Sequence, residues 1–157
     1  MGNAVLDVIF KGDENLFKNS GLVKGQMTIV DQSQSEKTTE NLSPIKKSSG
    51  GSVANTMAGI GILGGKAAFC GRVFNDNLGR DFINDISKSN VKYLCDLATD
   101  GPPTAKCSVF VTEDGERTMQ TFLGASVLLN ENDIKEEFFT NTSILFIEGY
   151  LWSSDTA

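Results

Sequence analysis

The chain reads as an α/β protein, a mostly parallel sheet flanked by helices with a small β-sheet flap beside it. Three observations carry this. Short apolar runs at residues 4–10, 66–73 and 143–147 alternate with segments of helical character, the pattern of strands covered by helices. Phe82, Ile83 and Ile86 recur at helical spacing. Asp114-Gly115 separates two alternating runs, a strong hairpin signal that does not fit inside a parallel sheet.

Taken in order, residues 4–10 form a short apolar run around Asp7, read as a strand leaving a core. Residues 25–31 alternate polar and apolar like a half-exposed strand. Residues 32–49 are polar and poor in large apolar groups, which implies a loop or a weak helix broken at Pro44. From Ser52 to Leu63, small residues mix with Val53, Met57, Ile60 and Ile62. That suits a closely packed helix with Ser52 as N-cap and Gly64 just past its end. Residues 66–73 give a short buried strand, and residues 79–89 a helix. Residues 104–112 and 117–123 are the two strands of the hairpin. Asn130 is placed to cap a short acidic helix over 131–139, and residues 143–147 read as another buried strand.

At 157 residues the chain can bury a core, and 39% apolar with 22% charged residues is the composition of a soluble globular protein. No apolar run approaches the roughly eighteen residues of a membrane span, and the start shows no signal peptide. A net charge of −6 argues against a phosphate-backbone binder, so neither nucleic acid nor membrane is an expected partner. Cys70, Cys95 and Cys107 include no C-x-x-C pair, which fits free buried thiols in a reducing cytoplasm. The absence of histidine removes Ser-His-Asp and Cys-His nucleophiles and histidine-ligated metals together. Chemistry here must use carboxylates, amides, backbone N–H groups or arginine.

Gly50-Gly51-Ser52 is on its own a flexible joint at a helix start; it also leaves N–H groups free to meet ligand oxygens. Asn55, on the first turn, carries an amide that donates and accepts, as vicinal hydroxyls require. Asp7 is either a solvated strand-end carboxylate or an acceptor for two hydroxyl protons at the sheet edge where ligands sit. Glu148 follows the strand at 143–147 and is either a loop residue or a group at that same edge. Arg117 is a hairpin surface charge or a mobile arginine for phosphate oxygens. The acidic run Glu131, Asp133, Glu136 and Glu137 reads as a solvated helix face. Gly71 to Gly79 has neither a Gly-Lys-Ser/Thr ending nor a G-x-G-x-x-G pattern, which rules out a Walker loop and a dinucleotide fingerprint.

Together, Gly2-Asn3…Asp7, Lys24-Gly25-Gln26-Met27, Gly50-Gly51…Asn55, Gly71…Asp76…Gly79 and Gly115-Glu116-Arg117 resemble the ribokinase-like PfkB carbohydrate and nucleoside kinases, particularly the adenosine-kinase-like branch. The resemblance implies the front half of a ribokinase-like domain, with lid strands over about residues 24–50 and 104–123 and the α/β core elsewhere. By position, Asn3, Asp7 and Asn55 would hold ribose-type hydroxyls, and Gly50-Gly51 would be the lid hinge. Glu148 would be a further polar contact to substrate, and Arg117 would sit near the phosphates. The implied reaction is Mg-ATP-dependent phosphoryl transfer to a primary alcohol of a sugar or nucleoside.

Such a transfer needs a base and an anion hole. The family's Gly-Ala-Gly-Asp and Asn-x-x-Glu segments, which supply these and the metal and phosphate contacts, do not occur in the 157 residues. The expectation is therefore an inactive front half of a longer kinase, its catalytic, ATP-binding half absent, with no catalytic or metal-binding residue of its own. The competing expectation is a stand-alone sugar- or nucleoside-binding module. Either form is expected to self-associate through the lid or an exposed sheet edge.

Overall fold

The structure is a computed structural model and describes residues 1–153. Its elements run β1 (Val5–Lys11), α1 (Glu14–Ser20), β2 (Met27–Ile29), α2 (Gln32–Thr39), β3 (Lys46–Gly50), α3 (Ser52–Ile62), β4 (Ala67–Phe69), α4 (Asn77–Lys88), β5 (Val91–Tyr93), β6 (Ala105–Val111) and β7 (Arg117–Phe122). Five strands form one sheet in the order β2-β7-β6-β1-β3, and β4 pairs parallel with β5 in a second. Within the larger sheet β1 runs parallel to β6 and antiparallel to β3. The hairpin β6–β7 is antiparallel, and β2 lies parallel to β7.

The α/β class and the presence of two sheets follow the sequence pattern. Strand membership differs, because β1 joins the sheet that contains the hairpin. Apolar groups on both of its faces explain the position. Leu6, Val8 and Phe10 enter the main core with Phe17, Val53, Phe82, Ile86 and Phe110. Val5 and Ile9 pack on the opposite face with Ala105, Cys107 and Val109. A strand apolar on both sides is best covered between two neighbours, and β6 and β3 supply them. Phe10 and Phe110, paired in register, stack with ring centroids 5.7 Å apart.

The amphipathic reading of residues 79–89 holds as α4, whose Phe82 and Ile86 are fully buried; each contributes roughly 2–3 kcal/mol of apolar burial. Asp76 caps it by accepting the Gly79 N–H at 2.7 Å. Helix α3 ends as its glycines predict: Gly65 N–H bonds Ile60 C=O, Gly64 N–H bonds Gly61 C=O, and Gly64 has φ +86°. Its start differs from the reading, for the N-cap is Gly51 and Ser52 is the first helical residue.

Three elements escape the sequence reading: α1, β3 and the three-residue strand β5, which is defined by its parallel pairing with β4. Helix α1 is fixed by the Asp13 cap and a left-handed Gly21. Strand β3 is polar along Lys46–Gly50 and exists because β1 offers it an antiparallel ladder. The acidic segment after Asn130 forms two separate 3-10 turns, Glu131–Asp133 and Glu136–Phe138, split by an extended Ile134. Asn130 does cap the first, but Asp133 is held by Arg72 and by the Asn130 N–H. Residues 143–147 form no strand and are exposed, Ile144 at 86%. They meet one rung of parallel pairing: the Met1 amine donates to Phe146 C=O, and Glu148 N–H donates to Met1 C=O. A single residue offers too short a ladder to order and bury a strand. No helix among the described residues is long and apolar enough to cross a membrane.

Candidate functional site

Register places Ser48, Asp7, Cys107, Thr121 and Ile29 in one line across the five strands. Residues directly opposite in a ladder point to the same face. That face also carries Val5, Ile9, Val109 and Met119, while helix α2 meets the other face, where Lys106 donates to Ser35 C=O. Asp7 is thus a half-buried carboxylate on a sheet face whose other groups are mostly apolar. Burial pushes its pKa up to about 6, because the charged form loses hydration without gaining a cation. The neighbouring Cys107 thiol is raised to about 11, chiefly by burial.

The di-glycine stands against this carboxylate. A Cβ on Gly50 would lie 2.6 Å from the carboxyl carbon and both oxygens of Asp7. Gly51 has φ +104°, and a Cβ there would lie 2.3 Å from the Asn3 carbonyl oxygen. Both positions are therefore closed to larger residues, the first by contact and the second by backbone conformation as well.

On the far side of the turn, Glu148 is buried at 5% exposure. Its carboxylate accepts the Asn3 N–H at 2.6 Å and the Ser52 hydroxyl at 2.5 Å. Glu148 is thereby the tie that joins the chain start to the start of α3. Ser52, read as a cap, is its partner. The Asn3 side chain is also buried, and its Oδ1 has no hydrogen-bond partner among the described residues.

Asn3, Asp7, Gly50, Gly51 and Glu148 are therefore gathered around one turn. Asn55 lies on the first turn of α3, its backbone N–H bonded to Gly51 C=O and its side chain exposed. Arg117 lies apart: it pairs with Val111, which pairs with Lys11, four residues and about 13 Å along the sheet from Asp7. It is exposed and makes no ion pair among the described residues. In the Gly71…Asp76…Gly79 segment, Asp76 is structural, bonding Gly79 N–H, Thr104 N–H and the Thr104 hydroxyl.

A cleft of about 510 Å³ between α1 and α2, lined by Leu16, Asn19, Asp31 and Lys37, opens on the α2 side of the sheet, away from Asp7. Among the described residues no three carboxylate or thiol groups converge to hold a metal ion. Sequence reasoning missed two relationships here, Ser52 with Glu148 and Cys70 with Cys95. Each joins residues distant in the chain, and no local pattern marks such pairs.

Comparison with known proteins gives the class first. The adenosine kinase of Sinorhizobium meliloti superimposes with a TM-score of 0.84 at 38% identity, covering 99% of this chain and 47% of that one. A probable sugar kinase from Rhizobium etli matches with the same TM-score, identity and coverage. Mouse ribokinase is 30% identical over 87 residues, 55% of this chain and 27% of that protein. Residues 21–156 match the model of the pfkB family of carbohydrate kinases, and the chain belongs to that family. It spans about half the length of those solved kinases and about a quarter of mouse ribokinase.

Proposed function

We propose that this chain provides the substrate-binding side of an ATP-dependent sugar or nucleoside kinase and does not transfer phosphate by itself. The observation that carries the reading is Asp7, a half-buried carboxylate set on a mostly apolar sheet face against Gly50 at the end of β3. Such a carboxylate accepts hydroxyl protons from a bound sugar ring, and the apolar face around it strengthens those bonds. Asn3 and Asn55 complete the hydroxyl contacts in this proposal, and Glu148 acts at one remove by positioning Asn3.

The five-stranded sheet serves as the lid, with Gly50-Gly51 as hinge and Arg117 toward the phosphates. This lid takes in β1 as well as the strands within residues 24–50 and 104–123. ATP and Mg²⁺ belong to the complete kinase in this proposal. The free thiols support a reducing, cytoplasmic setting, and adenosine is the first substrate to try, from the likeness to the Sinorhizobium enzyme.

The test is calorimetric titration of the purified chain with adenosine and with ribose, beside an assay of phosphoryl transfer from Mg-ATP. The expected result is binding of one of them, weakened at least tenfold in Asp7→Asn, with no transfer. Equal binding by Asp7→Asn would refute the site, and transfer would refute the inactivity.

A second reading, a stand-alone binding module, draws support from the Glu148 tie, which fastens Asn3 to the first residue of α3 within this chain. It requires a stable folded monomer or dimer. The exposed Met27 and Ile29 on edge strand β2 support self-association, which light scattering on the eluting chain measures.

A further inference from the structure

We propose that Cys70 and Cys95 form a reversible dithiol–disulfide pair, a site of oxidative modification separate from the substrate face. The two sulfur atoms are 3.2 Å apart and both residues are buried. Cys70 directly follows β4, and Cys95 lies two residues beyond β5, the parallel partner of β4. Bridging them needs about 1 Å of approach, from 3.2 Å to the S–S bond length near 2 Å. Cys107, the third cysteine, lies on the five-stranded sheet in a different apolar cluster.

The surroundings favour one sulfur as the attacking group. The hydrogen bond with Cys95 holds the Cys70 thiol below its ordinary pKa; burial opposes this, and the ammonium group of Met1 adds to the lowering. Cys95 is pushed well above its ordinary value by the same hydrogen bond and by burial. Cys70 is thus the favoured nucleophile and Cys95 the resolving partner.

The oxidant is a hydroperoxide, hydrogen peroxide being small enough to reach the pair through local opening. The Cys70 thiolate attacks one peroxide oxygen and the O–O bond breaks, leaving a sulfenic acid on Cys70 and a hydroxide that takes a proton to become water. The Cys95 sulfur, losing its proton, then attacks Cys70 sulfur and expels the sulfenic oxygen as a second water. Two thiols lose two electrons, and one peroxide gains them.

The bridge bears on the rest of the chain because Cys70 C=O accepts the Gly2 N–H and Gly71 C=O accepts the Tyr93 hydroxyl. Oxidation at Cys70 therefore acts on the backbone that leads into Asn3.

The experiment treats the folded chain with hydrogen peroxide, then unfolds and alkylates it, and reads intact mass, free thiols and a non-reduced peptide map. Expected are loss of two of the three thiols, a mass lower by about 2 Da before alkylation, a Cys70–Cys95 crosslinked peptide, and full reversal by dithiothreitol. Cys70→Ser and Cys95→Ser each abolish the paired loss, and Cys107→Ser keeps it. The wild-type map stands even where a variant folds poorly. Three surviving thiols, a crosslink through Cys107, or a gain of about 32 Da on a single cysteine would overturn the pair.

Discussion

The Asp7 carboxylate occupies the space in which a side chain at position 50 would stand, all three carboxyl atoms lying 2.6 Å from where a Gly50 Cβ would be. Gly50→Ala should therefore cost about 1–3 kcal/mol, the range for forcing a methyl group into filled space. The penalty should shrink in an Asp7→Ala background, because the carboxylate that collides is gone. A double-mutant cycle on urea midpoints measures this, and strictly additive losses would show that the two residues do not share the space.

The same burial sets a pH dependence. Asp7 has a folded pKa raised from 3.8 to about 6, so between those values the folded state binds more protons than the unfolded one. Stability from this group is fully present below about pH 4 and is lost as pH rises through 6. Asp7→Asn should flatten the stability profile between pH 4 and 6. It should also gain no more than about 1–2 kcal/mol at pH 7, less than the full linkage value because the group keeps partial contact with water. Thermal melts across that range read the effect directly.

Glu148 and Ser52 make a third case. Glu148→Ala strips partners from the buried Asn3 N–H and from the Ser52 hydroxyl, and should cost about 2–3 kcal/mol. Ser52→Ala should cost nearer 1 kcal/mol and add little on top of Glu148→Ala. A helix cap alone would give the serine variant an independent cost, so non-additivity in chemical denaturation separates the two roles.

These residues also show what a sequence can and cannot say. Helix α4 was legible because Phe82, Ile83 and Ile86 repeat with the helical period, although its start at Asn77 and the Asp76 cap were not. The hairpin was legible because Asp114-Gly115 encodes its own turn, Gly115 taking φ +83°. Strand β3 was not, since Lys46 and Lys47 carry no strand pattern and only the β1 ladder defines them. Residues 143–147 misled in the opposite direction: an apolar run signals burial, but burial needs a neighbour, and the described residues offer it Met1 alone. At the site, Gly50 and Asp7 could be singled out as residue types suited to a ligand. That they touch each other, and that Glu148 is spent on Asn3 and Ser52, are facts of tertiary contact.

Arg72 gives a fourth prediction. Its guanidinium is 7% exposed, bonded to both oxygens of the nearly buried Asp133 and to Asp100 at 2.8 Å. Removing one partner of a buried pair leaves the other charge uncompensated. Arg72→Ala should cost about 3–5 kcal/mol, and Arg72→Lys an intermediate amount, because an ammonium cannot reproduce the planar fork. Equal midpoints for Arg72→Lys and the parent chain would contradict this.

Arg117 should behave in the opposite way. It is exposed at the hairpin end of β7, with Val111 beside it in the ladder and about 13 Å of sheet between it and Asp7. Arg117→Ala should therefore leave the melting midpoint unchanged, within about 0.5 kcal/mol, and should leave adenosine or ribose binding to this chain as it was. Asp7→Asn weakens that same binding. The contrast would separate the proposed hydroxyl-binding end of the sheet face from the end proposed for phosphate. If titration showed Arg117→Ala losing ligand as severely as Asp7→Asn, the bound molecule would have to reach along the whole face, and the division of roles between the two ends would be wrong.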